Sequence, residues 1–314
     1  MGKKKRERKW PVEPLPLEAP VVDNHTHLPV HEGEIPRANG EKLPLDVQLL
    51  RASAANVKRV ITSGCEVPAL QPTLDIAHAY PDVFAALAIH PNEAAIHAGC
   101  TDPSPDGLTP RAREWHVPLV EALEEVSSRL SDPRVVAVGE TGLDYFRTAE
   151  GRGREAQKES FRAHLEMARD HDLALQIHDR DAHADCVQVL KESASKDQRI
   201  VFHCFSGDAE LARICAENGW FASFAGPITY PANEDLRAAL LEMPRELVLV
   251  ETDAPYLTPV PERGNPNASY VMPHTVRAIA ELWELPEADT CRLLTRNTVG
   301  VYGLSGPDAS LLDI

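Results

Sequence analysis

The chain has 314 residues, 43% of them hydrophobic, and a formal net charge of −16, which is the composition of a globular protein large enough to bury a core. Such a charge disfavours binding to long duplex DNA, because phosphate contacts need a basic footprint. No apolar run approaches the ~18 residues of a membrane-spanning helix, and the amino terminus has no apolar signal segment, so we expect a cytoplasmic protein that does not enter a membrane.

The six cysteines are scattered and form no Cys-X-X-Cys pair. This spacing favours reduced thiols in an intracellular protein over a disulfide framework or a structural zinc site.

The first 20 residues differ from the rest of the chain. Six Lys and Arg residues lie between Lys3 and Lys9, and prolines follow as far as Pro20. This composition predicts a disordered tail over residues 1–20, followed by a single barrel domain over residues 21–314. The tail could contact nucleic acid or another acidic partner, or it could be a solvated extension without function.

Strand-like and helix-like segments alternate from residue 21 onward. Each strand is a continuous apolar run, which indicates burial on both faces, and the intervening segments repeat apolar residues at helical spacing. Eight repeats predict a closed (β/α)8 TIM-type barrel, with residues 97–118 as a surface loop over one end. The predicted strands cover residues 21–27, 57–64, 83–90, 134–143, 173–178, 200–203, 220–224 and 247–253.

Histidine and acidic residues stand where these strands end, and active sites of such barrels lie at the carboxyl ends of the strands. His25 and His27 are two residues apart in a strand, so their side chains point the same way and can bind one metal ion. The strand-end residues are His25 and His27, then His90, Glu140, His178 and His203, and finally Glu251 and Asp253.

Imidazole and carboxylate groups suit zinc, manganese or a similar divalent ion. The strand ends offer enough ligands for two ions, and Glu140 can bridge them because a carboxylate has two oxygen atoms. Two such ions generate a bound hydroxide near neutral pH and clamp the attacking and leaving oxygens of a phosphodiester.

Several short segments form an ordered pattern along the chain. They are residues 23–28 (DNHTHL), 136–145 (VAVGETGLDY), 177–178, 201–207 (VFHCFSG) and 250–257 (VETDAPYL), followed by Arg263-Gly264 and Asn267. In order and spacing these segments resemble the TatD family of metal-dependent hydrolases. The match runs from about residue 21 to about residue 304. The resemblance implies a TIM-type barrel and a metal-dependent deoxyribonuclease or exonuclease activity.

The resemblance also implies a role for each ligand. It assigns His25, His27 and Asp253 to one ion, His178 and His203 to the other, and Glu140 to a position between them. Asp253, Glu140 and His203 are then the expected catalytic residues, with Asp253 as the general base. His90 is expected to contact phosphate rather than metal, and a loop-cap histidine is the alternative.

Three residues around the expected site are candidate substrate contacts. Arg180 and Arg263 could hold phosphate oxygens, and Tyr145 could stack on a base, although a loop arginine is commonly a solvated charge and such an aromatic commonly belongs to the core. The chain departs from the family pattern at Asp179, where Ser is common, and at Ala268 after Asn267, where Glu is common.

The sequence therefore predicts hydrolysis of a phosphodiester bond at an end of single-stranded or frayed DNA, with two divalent ions and no evident obligate protein partner. One alternative is hydrolysis of an amide, lactone or other small-molecule bond by the same ligands. Another is a barrel that serves as a non-enzymatic binding protein.

Overall fold

The computed structural model describes residues 8–304. Eight parallel strands follow one another around a single sheet in chain order, which confirms the predicted barrel. Most strand residues are buried, as the continuous apolar runs predicted. The strands are β1 (Val21–Thr26), β2 (Val57–Gly64), β3 (Val83–Leu87), β4 (Val135–Asp144), β5 (Ala174–Arg180), β6 (Ile200–Phe202), β7 (Phe221–Phe224) and β8 (Val248–Val250).

Helices lie between the strands and cover the outside of the barrel. The helix α7 illustrates how the sequence sets their ends: the Asp208 carboxylate accepts hydrogen bonds from the amides of Glu210 and Leu211, and Gly219 ends the helix at a φ of 70°. The α-helices are α1 (Leu45–Ala54), α2 (Val67–Ala79), α3 (Pro91–His97), α4 (Leu119–Ser127), α5 (Arg152–Asp170), α6 (His183–Ser193), α7 (Ala209–Asn218), α8 (Glu234–Glu242), α9 (Pro273–Trp283) and α10 (Glu287–Tyr302). Within residues 8–304, no helix is both long and apolar enough to cross a membrane.

The barrel closes between its first and last strands, just beyond the end of β8. The amide of Asp253 donates to the carbonyl of His25 at 3.0 Å, and the amide of His27 donates to the carbonyl of Ala254 at 2.7 Å. The side-chain amide of Asn24 donates to the carbonyl of Val250 at 2.6 Å. The seam between β1 and β8 therefore holds the segments that carry His25, His27 and Asp253 side by side.

Residues 8–20 form an extended segment along the outside of the barrel, which we call the N-terminal strap. The hydroxyl of Tyr270 donates to the carbonyl of Pro11 at 2.9 Å, and the Arg277 guanidinium donates to the carbonyl of Leu15 at 2.9 Å. Leu17 is buried, and its carbonyl accepts a hydrogen bond from the side chain of Asn56. The prediction of a disordered tail over residues 1–20 is therefore wrong for the strap, because apolar burial and partners for its carbonyl groups fix it. Residues 1–7 lie outside the described residues.

Candidate metal centre

A cavity of about 1340 Å³ opens at the carboxyl ends of the barrel strands. Six of the histidine and acidic residues that the sequence predicts for this end line it, and His25 lies fully buried behind His27. The six are His27, His90, Glu140, His178, His203 and Asp253.

One group of these side chains comes from the β1–β8 seam. The Nε2 atoms of His25 and His27 face each other at 3.3 Å. Asp253 Oδ1 lies 3.4 Å from His27 Nε2 and 3.9 Å from His25 Nε2. Glu140, from β4, reaches the same two histidines, with its Oε2 3.9 Å from His25 Nε2 and its Oε1 3.8 Å from His27 Nε2.

Glu140 is also the contact of the histidines from the next strands. Its Oε2 atom lies 3.4 Å from His178 Nδ1 and in short contact with His203 Nε2. Its Oε1 atom lies 3.6 Å from His90 Nε2. One buried carboxylate therefore stands between two sets of imidazoles, as a bridging ligand would.

The second ring nitrogen of three histidines has its own acceptor. His25 Nδ1 donates to the Oε1 atom of Gln176 at 3.0 Å. His178 Nε2 lies 3.2 Å from Asp144 Oδ2, and His203 Nδ1 lies 3.4 Å from Glu251 Oε1. Acceptors of this kind fix the orientation of a ligating imidazole and leave the other nitrogen free to bind metal. The three acceptors at this site are Gln176, Asp144 and Glu251.

The pKa shifts follow from burial and from the crowding of these groups. Burial, followed by the charge of His203, lowers the pKa of His25 well below its ordinary value. Burial raises the pKa of Glu140, but the charges of His203 and His90 outweigh it, so that the net pKa is well below normal. Glu140 is therefore an anion, the form that binds a cation.

The pKa values of His178 and His203 are raised, whereas those of His25 and Glu140 are lowered. Burial lowers the pKa of His178, but hydrogen bonds to Asp144 and Glu140 outweigh it and raise the pKa to about 9. Burial also lowers the pKa of His203, and the charge of Glu140 outweighs it, so that the pKa lies well above normal. Because a ligating histidine must be neutral, metal binding has to displace these protons.

His90 has two roles in the structure. Its Nδ1 atom accepts a hydrogen bond from the amide of Asn92 at 3.1 Å, which caps the start of α3. Its Nε2 atom faces the cavity beside Glu140. The residue is thus a helix cap, as the alternative prediction has it, while the other edge of its ring is available to the cavity.

Besides His90, the structure brings one of the other three predicted substrate contacts to the cavity wall. Arg180 lines the cavity, and its guanidinium lies 3.9 Å from the centroid of the Phe146 ring. The Arg263 guanidinium stacks on Tyr230 at 4.1 Å, outside the cavity lining. Tyr145 is not part of the cavity lining either, and its hydroxyl donates to Asp185 at 2.5 Å.

Sequence reasoning missed Asp144 and Gln176. Asp144 lies four residues after Glu140 in β4, on the face that a period of two assigns to Glu140, and this spacing was the available signal. Gln176 sits within the apolar run of β5, where nothing in the sequence separates a polar core residue from a supporting partner of the site.

The donor set fits divalent metal ions. At this site, four groups of side chains place one potential ligand atom of each member within 4.8 Å of the others: His25, His27 and Glu140; Glu140, His178 and His203; His25, His203 and Asp253; and His90, Asp144 and His178. Imidazole nitrogens and carboxylate oxygens are the ligands that zinc and manganese share. Glu140 belongs to two of the groups.

Comparison with known proteins also indicates a protein that depends on metal ions. A family model described as TatD related DNase matches residues 22–303. A Mycobacterium tuberculosis protein named as an uncharacterized metal-dependent hydrolase TatD is 36% identical over 289 residues, covering 90% of this chain and 98% of that protein. The 3'-5' ssDNA/RNA exonuclease TatD of Escherichia fergusonii is 29% identical over 262 residues, covering 81% of this chain and 91% of that protein.

A solved structure agrees with these relatives. YjjV, a TatD homolog from Escherichia coli K12, superimposes with a TM-score of 0.73 at 26% identity, covering 91% of this chain and 98% of that chain. The chain has an eight-stranded barrel, imidazole and carboxylate donors clustered at the strand ends, and relatives named as metal-dependent hydrolases. It is therefore a metal-dependent hydrolase. The chain belongs to the TatD family, which confirms the resemblance seen in its sequence.

Proposed function

We propose that the protein is a nuclease that hydrolyses phosphodiester bonds at an end of single-stranded or frayed DNA, with two divalent ions. The observation that carries the proposal is the position of Glu140, whose oxygens lie within 3.9 Å of imidazole nitrogens from both sides of the cavity. The name of the Escherichia fergusonii relative, a 3'-5' ssDNA/RNA exonuclease, supports the choice of substrate.

The ligands divide into two sets that share one residue. His25, His27 and Asp253 would hold one ion, His178 and His203 the other, and Glu140 both. Ions bound there supply two effects, acidification of water and neutralisation of phosphate charge.

Asp253 has the position expected of a general base. Its side chain is mostly buried at the cavity floor, and its Oδ1 atom lies 3.4 Å from His27 Nε2. Its other oxygen does not make that contact, so we assign Asp253 the role of accepting the proton of the attacking water. The Asp253 amide is fixed to the His25 carbonyl at the seam, which limits how far this base can move.

Side chains on the cavity wall favour a phosphate-containing substrate. Arg180 and Arg147 both line the cavity, and guanidinium groups match phosphate oxygens in a two-point geometry. Tyr256 also lines the cavity and is 61% exposed, with its ring centroid 6.0 Å from that of His27. An exposed ring at the mouth offers a surface on which a base can stack.

The test is a hydrolysis assay on protein loaded with Mn²⁺, Mg²⁺ or Zn²⁺. We expect single nucleotides to be released from single-stranded DNA, and Asp253→Asn to abolish the release while the variant keeps its folded circular dichroism spectrum. Asp235→Asn is the matched control, because this exposed carboxylate lines the cavity outside the imidazole cluster. Cleavage of a panel of amides and lactones without nucleotide release would replace the proposal with small-molecule hydrolysis. If Asp253→Asn kept both nucleotide release and any cleavage of amides or lactones, Asp253 would have no role in the mechanism.

A further inference from the structure

Outside the candidate metal centre, a second cluster of potential metal ligands lies between α3 and the segment that follows it. Glu93 and His97 are one helical turn apart in α3, so their side chains leave the same face of the helix. His116 comes from residues 98–118, which form no helix or strand before α4 begins. One potential ligand atom of each of these three residues lies within 4.8 Å of the others.

The ring of His97 has a buried nitrogen that nothing satisfies. The residue is 6% exposed, and its Nδ1 atom donates to the carbonyl of Val117 at 2.7 Å. Burial lowers the pKa of His97, so the ring is neutral and its Nε2 atom carries a lone pair. This Nε2 atom is buried and has no hydrogen-bond partner within residues 8–304. Buried polar atoms nearly always have a partner, and a histidine whose other nitrogen donates to a carbonyl is oriented as metal ligands are.

Glu93 and His116 are already in contact with each other beside this nitrogen. Glu93 Oε2 lies 2.9 Å from His116 Nε2, and the side chain of His116 is only 4% exposed. The ring centroids of His97 and His116 are 4.9 Å apart. Ligand atoms of a tetrahedral zinc ion, with bonds of ~2.0–2.1 Å, lie roughly 3.3 Å from one another. The three donors therefore need only small movements to enclose an ion.

Binding through His116 requires one change of hydrogen bonds. Its Nδ1 atom accepts a hydrogen bond from the amide of Arg113 at 2.7 Å, so the ring proton is on Nε2 and faces Glu93. Because a histidine binds metal through a nitrogen without a proton, this proton has to move to Nδ1 and the Arg113 amide has to turn toward water. Arg113 is exposed and lies outside any helix or strand, which permits the turn.

A further carboxylate lies beside the three donors. Burial, followed by the negative charges of Glu93 and Glu34, raises the pKa of Glu66, and the charge of His116 lowers it. Like charges at close range disfavour the ionised form of a carboxyl group, and a cation between them removes this cost. Glu66 can therefore stabilise an ion that the three donors hold.

We propose that Glu93, His97 and His116 bind a zinc ion at a site separate from the candidate metal centre. Two imidazoles and one carboxylate are an established zinc ligand set, and Glu66 or a water molecule completes the tetrahedron. The ion fastens the end of segment 98–118 to α3, and a segment of that length without regular structure is uncommon in a compact domain. None of the three residues belongs to the ligand sets of the proposed nuclease, so this site is independent of the proposed function.

Two variants remove a ligand atom and keep the neighbouring hydrogen bond. In His97→Asn, the side-chain amide can still donate to the Val117 carbonyl, but no atom replaces Nε2. In His116→Asn, the side-chain oxygen can still accept from the Arg113 amide, and Nε2 is again lost. Loss of zinc in these variants therefore reports the missing ligand rather than a disrupted turn.

The matched control is His78→Asn. The exposed His78 ring pairs with one carboxylate, that of Asp132, and among the described residues it belongs to no group of three donors. All four proteins are equilibrated at one free Zn²⁺ concentration, fixed by a chelator buffer. Zinc per chain is then measured by inductively coupled plasma mass spectrometry, and folding is checked by circular dichroism.

We expect His97→Asn and His116→Asn each to bind one zinc ion per chain fewer than wild type, and His78→Asn to bind as many as wild type. Equal zinc content in wild type and both test variants would overturn the inference, whether or not wild type cleaves DNA. If wild type releases no nucleotides but the two test variants still lack one ion, the zinc site stands and the nuclease proposal fails.

Trp115 reports where the lost ion was bound. Its ring centroid lies 5.7 Å from that of His116, with 24° between the ring planes, in the turn that has to move. Addition of Zn²⁺ to chelator-treated protein should change the tryptophan emission of wild type, and the change should be smaller in Trp115→Phe and in His97→Asn. If the test variants lose an ion but wild type and Trp115→Phe show the same emission change, that ion was bound elsewhere and the inference is wrong.

Discussion

The side-chain amide of Gln176 fixes the tautomer of His25. Gln176 Nε2 donates to the Asn24 carbonyl at 2.7 Å and contacts the Tyr302 hydroxyl at 2.9 Å. Its Oε1 atom must therefore face His25, where it accepts the Nδ1 proton at 3.0 Å. The Nε2 lone pair of His25 is then directed to His27 and the carboxylates, the only arrangement in which this fully buried imidazole can bind a metal.

Replacing Gln176 with Leu should weaken metal binding about 10-fold to 100-fold, the usual cost of losing a partner that orients a ligating histidine. The measurement is a competitive titration of the metal-free protein against a chromophoric chelator. Tyr302→Phe is the control, because it removes one contact of the amide and leaves the Asn24 carbonyl to hold it. Unchanged metal affinity in Gln176→Leu would show that His25 needs no such orientation.

The two predicted arginines should differ in their effect on DNA hydrolysis. Arg180→Ala removes a guanidinium from the cavity wall, so we expect KM for single-stranded DNA to rise by about tenfold, the equivalent of one charge-assisted hydrogen bond of about 1.4 kcal/mol. Arg263→Ala removes a guanidinium that stacks on Tyr230 outside the lining, and its KM should stay near wild type. Steady-state kinetics on one oligonucleotide checks both. A larger effect of Arg263→Ala would mean that the substrate path leaves the cavity over the last loop.

The N-terminal strap should contribute to stability through Leu17. This side chain is 2% exposed, whereas Leu15, two residues earlier, is 80% exposed. Leu17→Ala should lower the free energy of unfolding by about 2–5 kcal/mol, and Leu15→Ala should change it by less than about 0.5 kcal/mol. Urea unfolding of both variants gives the comparison. If both substitutions changed the free energy of unfolding by the same small amount, the strap would not contribute to stability through Leu17.

His164 should make stability depend on pH. Burial lowers its pKa to about 4 from an ordinary value of 6.5, and the hydrogen bond to the Ser160 carbonyl opposes this shift only in part. The folded protein keeps the ring neutral while the unfolded chain takes up a proton below pH 6.5, so stability is complete above pH 6.5 and falls as the pH approaches 4. The loss amounts to about 2 kcal/mol between about pH 7.5 and about pH 5.

The measurement for this pH effect is urea unfolding in a chelator at both pH values. His164→Gln removes the titrating ring. The free energy of unfolding of this variant should therefore fall by about 2 kcal/mol less than that of wild type between the two pH values, even if the variant is less stable at both. The metal-site histidines titrate in both proteins and cancel in the difference. Identical pH dependence of the two proteins would contradict the assignment.

The sequence was sufficient to predict the eight strands but not where each one ends. Ala88 and Ile89 are fully buried, so the apolar run predicted that β3 continues to residue 90. The strand stops at Leu87, and the amide of Ile89 donates to the Nε2 atom of His164 instead of to a neighbouring strand. Hydrophobicity records burial, while a strand is defined by the partner of its backbone amides.

The supporting parts of the site were harder to predict than its candidate ligands. Histidines at strand ends stand out because few residue types bind metal, whereas Gln176 acts through a partner 151 positions away in sequence. The strap was mispredicted for a related reason. Its composition resembles that of a disordered tail, and the groups that hold it, such as Tyr270 and Arg277, are distant in sequence.

The seam between β1 and β8 ties the chemistry to the completion of the chain. His25 and His27 are among the first residues of the barrel to be synthesised, and Asp253 follows the last strand. A nascent chain on the ribosome has the first two of these proposed ligands long before the third, and the backbone bonds that hold Asp253 beside them form only after β8 has been made. A chain that stops before β8 therefore lacks one of the three side chains that the proposed function assigns to the first ion.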